Sequence, residues 1–205
     1  MAKKKYYVVI DGSAPGIYLS WDECSKVLQE HGGHCKGFSD RQEAENYLNG
    51  INEDEITFEG LTAFVDGSFE ATVGRYGFGC VILQPGKEPL EYCGSGNKEE
   101  SAALRNVTGE MLGAMFAVKW AMSHGYRDIL ICYDYEGIEK WATGMWKART
   151  ELTSRYAAAM QEWSKSVQIV YKKIAAHTGN HYNELADQLA KKAIADEAPI
   201  PDFRI

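Results

Sequence analysis

The chain predicts an α/β protein, a mixed five-stranded sheet with helices on both faces, preceded by a small ββαβα domain. Three observations carry this. Between residues 61 and 95, three apolar-alternating segments follow one another with turn signals between them, the pattern of an antiparallel meander. From 106 to 195 the periodicity switches to helix, strand, helix, strand, helix, so the sheet must be mixed. A separate short pattern ends before residue 48 and is cut off by an acidic stretch with no basic residue. The expected organisation is therefore 1–48, a small domain; 49–60, a linker; and 61–205, the main domain.

In the small domain Tyr6-Tyr7-Val8-Val9-Ile10 reads as a strand, 11–16 as a turn and Ile17-Tyr18-Leu19 as a second strand. Ser20, with Glu23 three residues on, has the capping-box pattern, and Gly32-Gly33 ends the helix it opens. A strand near 35–38, a second cap at Ser39 and a helix over 43–48 complete the unit. In the main domain the strand from Leu61 ends in Asp66, the second spans 76–84, Pro85-Gly86 turns it, and the third spans 90–95. Glu110 lies in the opening turn of a helix that Gly125 stops. A strand over 128–133 is closed by Asp134. Helices at about 135–143 and 151–165, a strand over 168–175 and a helix over 182–195 follow. Trp120, Trp141, Trp146 and Trp163 fall on helices and read as packing residues.

Bulk properties narrow the function classes. No apolar run approaches the roughly 18 residues that span a membrane. The basic start, Met1 to Lys5, lacks the apolar core of a secretory signal. Five cysteines without a Cys-x-x-Cys pair suit reduced thiols in a cytoplasmic protein with no membrane partner, and a monomer is assumed. The spacing of Cys24, His31, His34 and Cys35 matches no common zinc finger. The net charge of −7 is unusual for a nucleic-acid enzyme, but its distribution is uneven. Residues 49–60 carry −4 of it and residues 61–205 only −2.

Four acids are hard to explain by packing: Asp66, Glu110, Asp134 and Asp187. Two close apolar strands and two lie on helices. Brought together they make an all-oxygen site for hard divalent cations, the kind that holds Mg²⁺ with few carboxylates and substrate phosphates. Paired metals about 3.5–4 Å apart clamp the attacking and leaving oxygens of an in-line phosphoryl displacement. The pattern points to a nuclease.

The ordered motifs are Asp66-Gly67-Ser68, Asn106 with Glu110, Tyr133-Asp134, and His177 with Asn183-Glu184 and Asp187. On these, residues 61–197 resemble ribonuclease HI. On the stretch from Gly16 to Cys24, residues 5–48 resemble the viroplasmin-type domain that binds RNA/DNA hybrids. The resemblance implies an endoribonuclease that hydrolyses the RNA strand of RNA/DNA hybrids with two Mg²⁺, Mn²⁺ substituting, leaving 5′-phosphate and 3′-hydroxyl ends. It implies Asp66, Glu110, Asp134 and Asp187 as ligands, His177 as proton shuttle, and Gly67, Ser68 and Asn106 as hybrid contacts. In the small domain it implies Trp21 and Lys36 as hybrid contacts. The chain departs from the pattern in four places. The first loop reads Asp11-Gly12-Ser13-Ala14 where basic residues are usual, and the later strand reads Cys35-Lys36-Gly37 where an aromatic residue followed by Lys-Lys or Lys-Ser is usual. Asn106 is flanked by Arg105 and Val107, and no basic handle separates Asp134 from His177. The competing reading is a binder of hybrid or double-stranded RNA with weak or altered nuclease activity. Asp134→Asn is expected to abolish cleavage while leaving the far-ultraviolet circular dichroism and melting cooperativity intact; full activity of that variant contradicts the metal-site reading.

Overall fold

The computed structural model describes residues 6–10, 12–39, 41–48, 58–98, 104–174 and 180–201, with the backbone alone for 42, 43, 45 and 46. The chain divides into two compact units, Met1–Thr57 and Phe58–Ile205. The stretch expected to act as a linker lies outside the described residues through position 57.

The first unit has the predicted ββαβα order: β1 (Tyr6–Ile10), β2 (Gly16–Tyr18), α1 (Trp21–His31), β3 (His34–Phe38) and α2 (Arg41–Leu48). β1 lies between its two antiparallel partners. The Ser20 hydroxyl accepts the Glu23 N–H at 3.2 Å. The Glu23 carboxylate reaches back to the Leu19 N–H at 3.3 Å, one residue beyond the Ser20 N–H that a full capping box would use. Gly32, at φ 68, terminates α1. Val8, Val9, Cys24 and Ala44 form its small core.

The second unit runs β4 (Leu61–Glu70), β5 (Arg75–Leu83), β6 (Leu90–Gly96), α3 (Asn106–Ser123), β7 (Asp128–Tyr133), α4 (Gly137–Ala142), α5 (Glu151–Trp163), β8 (Gln168–Lys173) and α6 (His181–Ala195). The sheet order is β6-β5-β4-β7-β8, antiparallel on the meander side and parallel from β4 to β8. Strand alternation sorts the faces. Leu61, Ala63 and Val65 enter the main core with Ala114, Phe116 and Ala117 of α3 and Tyr156 of α5. Phe64 points the other way and packs on Tyr182 of α6, ring centroids 5.4 Å apart.

Several boundaries differ from the sequence expectation. Asp66 does not end its strand, because β4 continues to Glu70 as long as β5 pairs with it, down to Glu70↔Arg75. The apolar run stops at Asp66; the hydrogen-bond ladder, which needs no apolar side chain, does not. Glu110 sits one turn inside α3 rather than in its opening turn, because the helix already starts at Asn106. Trp146 lies in the turn after α4, not on a helix. The tail is a feature the sequence did not announce. Ala198 N–H bonds the Ala193 carbonyl at 2.9 Å and Glu197 N–H the Ile194 carbonyl at 3.3 Å, a Schellman closure with Glu197 at φ 50. The chain then runs beside β6, where Ser95 N–H donates to the Ala198 carbonyl at 2.7 Å, and Arg75 pairs with Glu197 at 2.9 Å. The strap covers part of an edge strand.

Three glycines set how closely the helices approach the sheet. A Cβ on Gly67 would collide with the Asn106 carbonyl and the Glu110 N–H, and one on Gly109 would stand 2.9 Å from the Gly67 Cα. On the opposite face a Cβ on Gly79 would strike the Ala186 carbonyl and stand 2.9 Å from the Ala190 nitrogen. These obstacles are backbone and cannot rotate away. Gly79→Ala is therefore expected to cost about 1–3 kcal/mol, lowering Tm by several degrees. Unchanged chemical denaturation of this variant would mean that α6 has room to spare.

Candidate active site

Each predicted carboxylate reaches the site by a different physical route. Asp66 lies in β4 where the parallel partner β7 runs out: the register ends at Phe64↔Cys132, and two further steps set Asp66 beside Asp134. Asp134 is the first residue after β7. Glu110 is carried in by α3, pressed against β4 through Gly67 and Gly109. Asp187 is carried in by α6. Asp66 pairs across the ladder with Gly79, and Gly79 touches the carbonyl of Ala186, the residue before Asp187.

Asp66, Glu110 and Asp134 each offer a carboxylate oxygen within 4.8 Å of the others. Asp187 stands outside that triad, yet its charge acts on Asp66. Glu110 is 2% exposed, and its Oε2 has no hydrogen-bond partner among the described residues. An unsatisfied buried carboxylate oxygen is costly unless something positive completes it. Burial, then the charges of Asp134 and Asp66, push the Glu110 carboxyl up to about 9; the Tyr135 backbone N–H works the other way. Burial, then Asp134, raise Asp66 to about 7, with Asp187 adding to the rise. The Gly67 N–H, donating to Asp66 Oδ1 at 2.6 Å, opposes it. Like charges crowded together in a buried site behave in this way. The donors are all hard oxygens, so the residues fit a divalent cation.

The other expected site residues are distributed as follows. Gly67 and Ser68 continue β4 past Asp66, and Asn106, exposed, is the first residue of α3. His177 lies outside the described residues. Trp21, 55% exposed, opens α1 with its ring centroid 5.7 Å from that of Tyr7. Lys36 holds its ammonium 4.8 Å from the Tyr47 ring centroid and 5.5 Å from that of Phe38. Sequence reasoning missed Gly79 and Gly109, whose role depends on contacts far away in the chain. It also missed Lys191, whose Nζ lies 2.6 Å from Asp187 Oδ2 and whose charge lowers Asp66. The Asp187–Lys191 spacing of four was the available signal.

The raised carboxyls fix a pH dependence. Their folded values lie above the unfolded ones, so the folded chain holds more protons, and the cation-free chain loses stability as pH rises from about 4 toward 9. Glu110→Gln should therefore melt at least about 2–4 °C above the parent at pH 8 in EDTA and close to it at pH 4. A variant that melts lower at pH 8 would contradict the charge strain.

Known proteins resemble this chain in sequence and fold. Residues 59–195 match the RNase H family model and residues 5–48 the model of the Ribonuclease H1 N-terminal domain. Ribonuclease H of Francisella philomiragia is 27% identical over 148 residues, which is 66% of this chain and 91% of that protein. Ribonuclease H of Phenylobacterium zucineum is 27% identical over 149 residues, 67% of this chain and 92% of that protein. Among solved structures, RNase H1 of Halobacterium salinarum superposes with a TM-score of 0.56 at 22% identity, covering 66% of this chain and 98% of that one. LC11-RNase H1 in complex with RNA/DNA hybrid gives 0.52 at 17% identity, covering 65% and 99%. At these identities the superpositions speak for the fold, while the family match spans well over half of the sequence: the chain belongs to the ribonuclease H family, hydrolases that act on nucleic acids.

Proposed function

We propose that the chain is an endoribonuclease that cuts the RNA strand of RNA/DNA hybrids by two-metal-ion hydrolysis, leaving 5′-phosphate and 3′-hydroxyl ends. The observation that carries this is the triad of Asp66, Glu110 and Asp134, with ligand oxygens within 4.8 Å and a buried Glu110 oxygen that lacks a partner. Asp66, Glu110, Asp134 and Asp187 would hold the ions, with Mg²⁺ preferred and Mn²⁺ able to substitute. When bound, two such ions supply the positive charge that aligns attacking and leaving oxygens in line.

The remaining tasks fall to the chain itself. Glu110 and Asp66 give up their protons to become ligands. The backbone at Gly67 and Ser68, next to Asp66, would lie along the RNA strand, where 2′-hydroxyls mark RNA. Asn106, exposed where α3 meets Gly67, would read the minor groove of the hybrid. His177 would move a proton at the leaving group, as its near-neutral ordinary pKa allows. In the first unit Trp21 supplies an exposed ring and Lys36 a cation for the hybrid backbone. Trp146, 39% exposed with the Lys140 ammonium 4.9 Å from its ring centroid, offers a further ring-and-cation surface twelve residues after Asp134. The solved complex of LC11-RNase H1 with RNA/DNA hybrid supports the choice of ligand.

Two observations favour a second reading, a hybrid or double-stranded RNA binder with weak or altered nuclease activity: the net charge of −7, and Arg105 and Val107 beside Asn106. Matched hybrid, RNA/RNA, DNA/DNA and single-stranded RNA, each with Mg²⁺, Mn²⁺ or EDTA, separate the two. Metal-dependent cutting confined to the RNA strand of the hybrid is the expected result. Folded protein that cuts nothing in either metal would overturn the nuclease reading.

A further inference from the structure

Lys191 forms a salt bridge that differs from the other helix-surface pairs of the second unit. Arg155 with Glu151, Lys140 with Glu136 and Lys165 with Glu162 each tie a cation to an acid three or four residues away on the outside of the fold. Such pairs contribute little. Lys191 uses the same spacing, its Nζ 2.6 Å from Asp187 Oδ2, but its acid follows Ala186, whose carbonyl packs on Gly79, the ladder partner of Asp66. The Asp187 side chain is only 29% exposed, and the Lys191 charge reaches past it to Asp66 in β4. Lys191 itself is 62% exposed, so its flexible stem can swing its head group into water without breaking any packing.

We infer that Lys191 is a built-in cation that occupies Asp187 and competes with divalent ions for the cluster, so that metal binding must displace or outweigh it. The inference rests on the metal-binding reading above and extends it from which residues hold the ions to how tightly they do so. Three carboxylates within 4.8 Å of one another, with Asp187 beside them, would attract any divalent cation strongly. An ammonium held beside them lowers that attraction and occupies one Asp187 oxygen while the site lacks ions. Lys191 is in this sense a positioning residue. It restrains a ligand, and its charge sets the cation affinity of the other three.

The test is calorimetric titration of the full chain with Mn²⁺ in the absence of nucleic acid, on the parent, Lys191→Met, Lys191→Arg and Lys165→Met. Lys191→Met keeps the stem and removes the charge, and its Kd should fall by about three- to tenfold, the scale of one charge acting on a divalent ion at short range in a wet site. Lys191→Arg keeps the charge and Lys165→Met removes a cation paired with Glu162, so both should bind as the parent does. The melting temperature in EDTA should fall for Lys191→Met and rise further on adding Mn²⁺ than it does in the parent. Equal or weaker Mn²⁺ binding by folded Lys191→Met, with the parent binding normally, overturns the inference and leaves the metal reading standing. A parent chain that binds no Mn²⁺ overturns both.

Discussion

The contact on which the site depends is backbone against backbone: α3 on β4 at Gly67 and Gly109, and α6 on β5 at Gly79 and Ala186. A side chain at any of the three glycines would hold its helix off the sheet. The helices carry Glu110 and Asp187, while the sheet carries Asp66 and leads into Asp134. Three of these short acids can come within 4.8 Å of one another, with Asp187 near enough to act on Asp66, only if the elements themselves touch. Asp and Glu have little reach, so the scaffold supplies the proximity. Small residues also line α6 where it meets the sheet, with Ala186, Ala190 and Ala193 all fully buried.

That proximity opposes stability. Burial and mutual repulsion raise Asp66 and Glu110 far above ordinary carboxylates, and the Glu110 Oε2 goes unpaired among the described residues. Elsewhere in the second unit many polar groups are satisfied by routine means. Thr150 and Thr153 close a capping box on α5, Tyr156 donates to the Ile138 carbonyl at 2.8 Å, and Trp120 Nε1 donates to Tyr92 at 3.0 Å. Among the described residues the buried side-chain oxygens without a hydrogen-bond partner are Glu110 Oε2 and Asn183 Oδ1, and the first stands among like charges, which marks the carboxylate cluster as a place where function overrides stability. Lys191 and the Gly67 N–H relieve the strain only in part.

Most of the architecture was legible in the sequence because it is written in local periodicity and turn chemistry. Gly125, at φ 75, stops α3 as its position suggested, and β7 has the bounds its apolar run gave. Asp66 and Asp134 were legible because carboxylates at the ends of apolar runs resist a packing explanation, and Glu110 and Asp187 by their spacing from Asn106 and Asn183 on helices. What could not be read depends on pairing partners. The extension of β4 beyond Asp66 is dictated by β5, and the early start of α3 by how the chain enters it through Arg105 at φ 52. The strap along β6 joins Ser95 to Ala198, 103 residues apart, with no pattern at either end to announce it. Lys191 was visible as a spacing and unremarkable until Asp187 was seen to act on Asp66.

The central claim is that the cluster is assembled before any cation arrives and holds protons in its place. Calorimetric titration with Mg²⁺ at pH 7.5, repeated in buffers of different ionisation enthalpy, counts the protons released on binding. With Glu110 held near 9 and Asp66 near 7, binding should release about one proton or slightly more, and fewer as the pH is raised past 9. Binding with no proton release at pH 7.5 would mean that the carboxylates are already ionised and apart, and that the metal, rather than the glycine contacts, draws them together.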